Sequence, residues 1–91
     1  MNNRHRRDSN HKEIVKQLRQ IPGLSVLDLS QIGGGCPDLL VSNKMLTALV
    51  ELKTDKRDNL RESQKEFRKY WNGKIFKATK LEDILYEFYI S

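Results

Sequence analysis

The sequence has 91 residues and a formal net charge of +5, from 17 Lys and Arg residues against 12 Asp and Glu residues, and it contains one cysteine, Cys36. One cysteine excludes an internal disulfide and a multi-cysteine zinc site, and no apolar run approaches the roughly 18 residues of a membrane-spanning helix. With no secretion signal at its basic, polar N-terminus, the chain is expected to be one small cytoplasmic domain whose surface favours polyanions, nucleic acid foremost.

Residues 1–9 show no apolar periodicity and predict a flexible basic arm, which either contacts phosphates or is simply solvated. The domain proper is predicted to span residues 10–91. Apolar side chains at helical spacing predict its first helix: Ile14, Val15, Leu18 and Ile21. Asn10 and Glu13 resemble a capping box at the start of this helix, and Pro22-Gly23 ends it.

The rest of the chain predicts three strands, a helix, a strand and a helix. The predicted strands are 24–29, 38–41, 45–53 and 74–78, with one helix from about 59–61 to 71 and another from Thr79, where Thr79 and Glu82 form a capping box. A glycine run at 33–35 separates the first two strands. This order predicts an α/β fold, α-β-β-β-α-β-α, with a mixed sheet of about four strands flanked by helices.

Three side chains are predicted to meet at one end of the sheet. Glu51 and Lys53 are two residues apart on a strand and so point the same way. Asp38 follows Pro37 at the start of the preceding strand, where hairpin pairing would place it beside Glu51. Two carboxylates suit Mg²⁺, and a bound metal can activate water for phosphodiester hydrolysis. Lys53 would either position that water or pair with the phosphate.

The second predicted helix carries a polar residue in an apolar stripe. Leu60, Phe67, Tyr70 and Trp71 define the stripe, and Gln64 falls within it. An inward glutamine needs a polar partner, for which a metal-bound water or a site carboxylate is the natural candidate. The alternative is a glutamine at the wet edge of the stripe.

These motifs together resemble a known family. Residues 35–38 (Gly-Cys-Pro-Asp), residues 51–53 (Glu-Leu-Lys) and Gln64 on the next helix resemble the VRR-NUC domain, a virus-type replication and repair nuclease of the PD-(D/E)XK superfamily. The likeness spans nearly the whole chain and implies a restriction-endonuclease-like core. One departure is Arg61, which stands where relatives commonly have a helix-capping serine.

The resemblance also implies the roles of the site residues. Asp38, Glu51 and the backbone carbonyl of Leu52 would bind Mg²⁺ or Mn²⁺, and Lys53 and Gln64 would complete the catalytic site. Glu13 matches a first-helix glutamate that approaches the metals through water, although capping Asn10 explains it equally well. Cys36 is expected to be a small neutral filler.

The implied function is that of a metal-dependent endonuclease that hydrolyses DNA. Stand-alone copies of this domain resemble phage proteins that act as homodimers on branched DNA such as Holliday junctions. A phage-encoded protein of this kind is expected in the cytoplasm of the host cell. The aromatic segment 86–90 is the hypothesis for the dimer surface. Further DNA contacts are predicted on the loop and helix after Lys53, with a solvated basic face as the alternative: Lys56, Arg57, Arg61, Lys65 and Arg68.

Two other interpretations compete with the nuclease. The first is an inactive nucleic-acid-binding module on the same fold, against which the complete set of site residues argues. The second is a protein-interaction adaptor with an exposed aromatic surface, formed by Tyr70, Trp71, Tyr86 and Tyr89. This is the weaker alternative, because an aromatic stripe on a helix more often belongs to the core.

Overall fold

The computed structural model describes residues 3–55 and 59–90 and confirms the predicted order of elements and the α/β class. The elements are helix α1 (Asn3–Arg19), strands β1 (Ser25–Asp28), β2 (Leu39–Ser42) and β3 (Thr47–Leu52), helix α2 (Glu62–Tyr70), strand β4 (Lys74–Ala78), helix α3 (Leu81–Leu85) and a π-helical turn (Tyr86–Ile90). No helix of the described residues is long and apolar enough to cross a membrane.

The four strands form one mixed sheet in chain order. β1 pairs with β2 and β2 with β3 as antiparallel neighbours, whereas β3 and β4 are parallel. A parallel pair requires a crossover connection, usually helical, and α2 lies in that crossover. The chain therefore leaves the C-terminal end of β3 and enters α2, which brings these two elements together at one end of the sheet.

The apolar core lies between one face of the sheet and the helices α1 and α3. Side chains alternate along β3, so Ala48, Val50 and Leu52 join this core with residues of both helices, such as Leu18 and Ile84. Every residue of β3 after its first is buried, so its second face is covered as well. That second face carries Glu51.

Two predicted helix starts are wrong. Helix α1 begins at Asn3, not Asn10, so the predicted boundary between residues 9 and 10 falls inside a helix. Arginine is a good helix former and the segment has no Gly or Pro, so the helix extends beyond its apolar stripe. Helix α3 begins at Leu81 with Lys80 as its N-cap. Because Asp83 then occupies the third helical position, its carboxylate, and not that of Glu82, accepts the Thr79 backbone N–H at 2.9 Å.

The apolar stripe predicted for α2 is only partly covered. Tyr70 is 77% exposed and Trp71 is 41% exposed, while Phe67 is half-buried. The only buried residue of α2 is the polar one, Gln64. The predicted inward orientation of Gln64 is therefore confirmed, and the predicted burial of Tyr70 and Trp71 is wrong, because the crossover helix covers the sheet with its first turns only.

Candidate active site

The sheet register brings Asp38 next to Glu51. β2 and β3 pair antiparallel with Leu39 opposite Val50, and one further step along both strands sets Asp38 against Glu51. The Asp38 Oδ2 atom accepts the Leu52 backbone N–H at 2.8 Å. This hydrogen bond fixes the Asp38 carboxylate at the end of β3 where the chain turns towards α2.

Glu51 is a buried acid beside a nearly buried base. It is 3% exposed, on the face of β3 that α2 covers. The side chain of Lys53, on the same face, is 10% exposed, and its Nζ lies 3.7 Å from Glu51 Oε2. An ion pair removed from water gains more from its electrostatic attraction than a surface pair does, but it stays intact only if the remaining polar atoms are hydrogen-bonded.

Gln64 supplies those remaining hydrogen bonds. Its Nε2 donates to Glu51 Oε2 at 2.8 Å, and its Oε1 accepts from Lys53 Nζ at 3.1 Å and from the Arg61 backbone N–H at 2.8 Å. Arg61 is the N-cap of α2 but makes no side-chain capping bond, since a guanidinium has no acceptor. Gln64 thus fills the capping role from inside the helix while it links the acid to the base.

The environment of Glu51 disfavours its negative charge. Burial and the neighbouring Asp38 charge together raise its pKa to about 7, against the opposing effect of Lys53. Two carboxylates held this close repel each other when both are ionised. A cation between them would remove that repulsion.

The cluster opens into a polar pocket of about 520 Å³. Its floor is formed by Asp38, Glu51, Leu52 and Lys53, and its rim by the start of α2, the glycine loop and the α1 segment. A space of this size admits a phosphate group with several waters. The cluster is therefore reached from solvent on the side where its carboxylates lie.

The glycine loop closes against α2 at Gly35. This residue has φ +82°, and a Cβ added there would overlap the backbone carbonyl of Ser63. We expect Gly35→Ala to lower the free energy of unfolding by about 2–3 kcal/mol, measured by urea denaturation, because the left-handed backbone and the collision both cost energy. Gly33→Ala is the matched control, since Gly33 has φ +78° but nothing within 4 Å of an added Cβ. Equal destabilisation by both variants would contradict the contact with Ser63.

The donor set fits a divalent metal that keeps water ligands. Asp38 and Glu51 supply two carboxylates to the pocket, and Leu52 lines it beside them. Among residues 10–55 and 59–89, whose side chains the structure describes, no group of three His, Cys, Asp or Glu is placed to hold a metal. Mg²⁺ does not need one, because it binds through one or two carboxylates and completes its octahedron with waters and substrate oxygens.

The pocket wall on α1 differs from the prediction. Glu13 is exposed and does not line the pocket, whereas Asn10 and His11 do. The early helix start also removes the predicted capping box of Asn10 and Glu13, because both residues lie inside the helix. The His11 Nε2 atom lies 3.0 Å from Asp28 Oδ2. Burial opposes ionisation of Asp28, but hydrogen bonds from Ser30 together with the nearby His11 lower its pKa overall.

Sequence reasoning missed His11. A histidine among charged residues, ahead of the first apolar position, gave no periodic signal. Only the tertiary pairing of α1 with β1 reveals that it faces the site. A hint was available in Asp28 and Ser30, since a strand-end aspartate with serine two residues later favours a turn that fixes the carboxylate.

The predicted DNA-contact residues lie in different settings. Lys56 and Arg57 fall outside the described residues. Arg61 lines the pocket, and Lys65 is exposed, with Nζ 3.6 Å from Glu62 Oε2. Arg68 is half-buried, and its Nη2 is a buried atom with no hydrogen-bond partner in the described part of the chain.

Cys36 lies in the pocket wall without a nucleophilic environment. Burial raises the pKa of its thiol, and the charges of Glu51 and Asp38 raise it further. A thiol with a raised pKa is predominantly protonated and unreactive at neutral pH. The structure therefore agrees with the expectation of a small neutral filler.

The fold and this cluster define a nuclease-like α/β domain, in which two acids, a lysine and a helix glutamine meet at one end of a mixed sheet. A search of solved structures finds a VRR_NUC domain that is 30% identical to this chain, with a TM-score of 0.59, covering 93% of this chain and 95% of that one. Neither a scan of family models nor a search of curated proteins finds a match. The chain belongs to the VRR-NUC family, so the resemblance expected from residues 35–38, 51–53 and Gln64 is confirmed. Nuclease folds of this type generally use divalent metals.

Proposed function

We propose that this VRR-NUC domain is a metal-dependent endonuclease that hydrolyses phosphodiester bonds of branched DNA. The observation that carries the proposal is the hydrogen-bonded cluster of Asp38, Glu51, Lys53 and Gln64 at the base of an open polar pocket. Asp38, Glu51 and the Leu52 carbonyl would hold Mg²⁺ or Mn²⁺. When bound there, such a metal would supply a water of lowered pKa and would neutralise charge on the phosphate.

The chain's own residues then have separate tasks. Lys53 directs its ammonium into the pocket, where it holds the attacking water or a phosphate oxygen. Gln64 fixes Lys53 and Glu51 relative to each other through its two amide atoms. Such fixed dipoles and charges stabilise a transition state because they need no reorganisation during the reaction.

Branched DNA is the favoured substrate because no described element carries a base-reading motif. The basic residues after Lys53 would contact phosphates, which position a duplex without reading its sequence. We further propose a homodimer through the aromatic C-terminal turn, in which Tyr86 and Tyr89 are exposed. Two symmetric sites would suit two cuts across a Holliday junction.

The test is cleavage of labelled four-way junctions, flaps and linear duplexes with Mg²⁺ or Mn²⁺, beside EDTA and Asp38→Ala. We expect metal-dependent cutting, strongest on the junction, and a loss of about 10³-fold or more in the variant. Glu62→Gln is the charge-matched control, since Glu62 is exposed and lies outside the pocket. Tight, salt-sensitive binding without any cutting would favour the inactive binding module instead.

A further inference from the structure

An exposed group of aromatic rings lies at the C-terminal end of α2. Phe67, Tyr70 and Trp71, here called the aromatic shelf, form the uncovered part of the apolar face of the helix. The Phe67 and Trp71 rings stack with their centroids 5.8 Å apart and an angle of 23° between their planes. Trp71 Nε1 also donates to the Lys74 carbonyl at 3.4 Å. The Trp71 ring is thus held in place while 41% of the residue stays exposed.

The shelf is continuous with the active-site pocket. A depression of about 300 Å³ lies over the three rings and is completed by Gly34, Ser63 and Glu66. Gly34 and Ser63 also line the active-site pocket, so the two spaces share a wall. A polymer whose phosphate lies beside Asp38 and Glu51 needs to extend only past this wall to reach the shelf.

The size and charge of the shelf fit a nucleobase better than a second protein chain. Three partly exposed rings offer only a few hundred Å², below the roughly 800 Å² that a standard protein interface buries on each partner. Among the described residues, Glu66 is the one acid at the depression, and it lies 3.5 Å from Lys69 Nζ, so its charge is compensated. Lys65 and Lys69, both exposed on α2, pair with Glu62 and Glu66, so this helix face carries no net negative charge and keeps two ammonium groups within reach of a backbone. Aromatic faces flanked by cations are the usual platform for single-stranded nucleic acid.

We propose that the aromatic shelf stacks an unpaired base of the substrate next to the phosphate held at the active site. The inference rests on the proposed nuclease function and deepens it, because a base inside a duplex stack is not available to the shelf. The preferred substrate is then one with unpaired nucleotides beside the cut, as at a flap, a gap or the open centre of a junction.

Trp71 is the only tryptophan of the chain, so its fluorescence reports directly on the shelf. The experiment titrates the full chain in EDTA, which prevents cleavage, with an oligothymidine of about eight nucleotides. Controls are an abasic oligonucleotide of the same length, which keeps the phosphates, and a blunt duplex. We expect saturable quenching of Trp71 by oligothymidine and little by either control. Equal quenching by the abasic strand, or none by oligothymidine, would overturn the proposal.

Variants separate stacking from folding. Tyr70→Ala and Trp71→Ala are expected to weaken binding of the labelled oligothymidine by about 5- to 100-fold, measured by fluorescence anisotropy, with abasic binding unchanged. Trp71→Phe keeps an aromatic face and should restore most of the affinity. Met45→Ala is the control for loss of a large exposed apolar side chain, because Met45 is 90% exposed and lies at neither pocket. Loss of affinity for both strands alike would contradict stacking.

Failure of the shelf and failure of the nuclease give different results. If no metal supports cleavage but oligothymidine still quenches Trp71 fluorescence, the proposed nuclease function is wrong and the base-stacking proposal is retained. If the wild-type chain cuts DNA while the Tyr70 and Trp71 variants cut gapped and blunt substrates in the wild-type ratio, the shelf proposal fails. Trp71 emission that shifts with protein concentration, together with a dimer in sedimentation, would assign the shelf to a second copy and overturn it.

Discussion

Replacing Lys53 by Met is expected to lower the single-turnover cleavage rate by about 10²- to 10³-fold while Mn²⁺ binding persists. The Lys53 ammonium is the one positive group that touches both Gln64 and Glu51 in the described cluster, at 3.1 and 3.7 Å. A methionine side chain is similar in length to that of lysine, but it cannot orient water or stabilise charge on a phosphate. The measurement is quenched-flow cleavage of a labelled junction at saturating enzyme, with metal binding followed by thermal shift.

Lys65→Met provides the control for lost positive charge. Lys65 is exposed on α2 and paired with Glu62, so its removal should weaken binding slightly and leave the single-turnover rate unchanged. If Lys53→Met cuts as fast as the wild type, Lys53 has no role in the chemical step. If it also loses Mn²⁺ binding, its role is to keep the carboxylates in place.

The metal-free protein is expected to lose stability as pH rises from about 5 to about 7. Burial, with the Asp38 charge, raises the pKa of Glu51 from 4.5 to about 7 in the folded chain. Because the folded-state pKa lies above the unfolded value, protonation of Glu51 stabilises the folded state. This stabilisation is complete below pH 4.5 and is lost as pH rises through 7. The free energy of unfolding should fall by about 2 kcal/mol over this window, as measured by urea denaturation in EDTA.

Glu51→Gln isolates this effect. The amide keeps an acceptor for Gln64 but does not titrate, so the variant should show a much flatter pH profile over the same range. Saturating Mg²⁺ should restore the stability of the wild-type chain at pH 7.5, because a cation favours ionised Glu51 and binds only the folded site. Parallel pH profiles for the wild type and Glu51→Gln would contradict the buried, protonated carboxyl.

The sheet and its site were predictable because they follow from short-range rules. The two-residue period of β3 placed Glu51 and Lys53 together, and the hairpin from Asp38 to Glu51 followed from antiparallel pairing. The order of elements was predicted from the patterns along the chain, and the family was predicted from residues 35–38, 51–53 and Gln64. Gln64 was identified because it interrupts an apolar pattern. The hydrogen bond from the Arg61 backbone to Gln64 was not predicted, because that bond depends on where the helix begins.

The errors arose where tertiary packing decides. Periodicity marks the part of a helix that is buried, not the part that continues into solvent, and so the start of α1 was placed at Asn10 instead of Asn3. That error also produced the predicted capping box of Asn10 and Glu13. The family resemblance placed Glu13 in the predicted metal site, and His11 was left out because no pattern in the sequence marked it. Likewise, an amphipathic pattern does not say how far a neighbouring sheet extends, so Tyr70 and Trp71 were assigned to a core that ends before them.

The single buried residue of α2 has a consequence for how this domain can evolve. Gln64 attaches the helix to the sheet end with the same two hydrogen bonds, to Glu51 and Lys53, that arrange the acid and the base. A substitution there removes the anchor and the catalytic geometry together, so a lineage that abandons nuclease activity gains no freedom at this position. An unaltered glutamine in a relative is therefore evidence of an intact helix anchor as much as of catalysis.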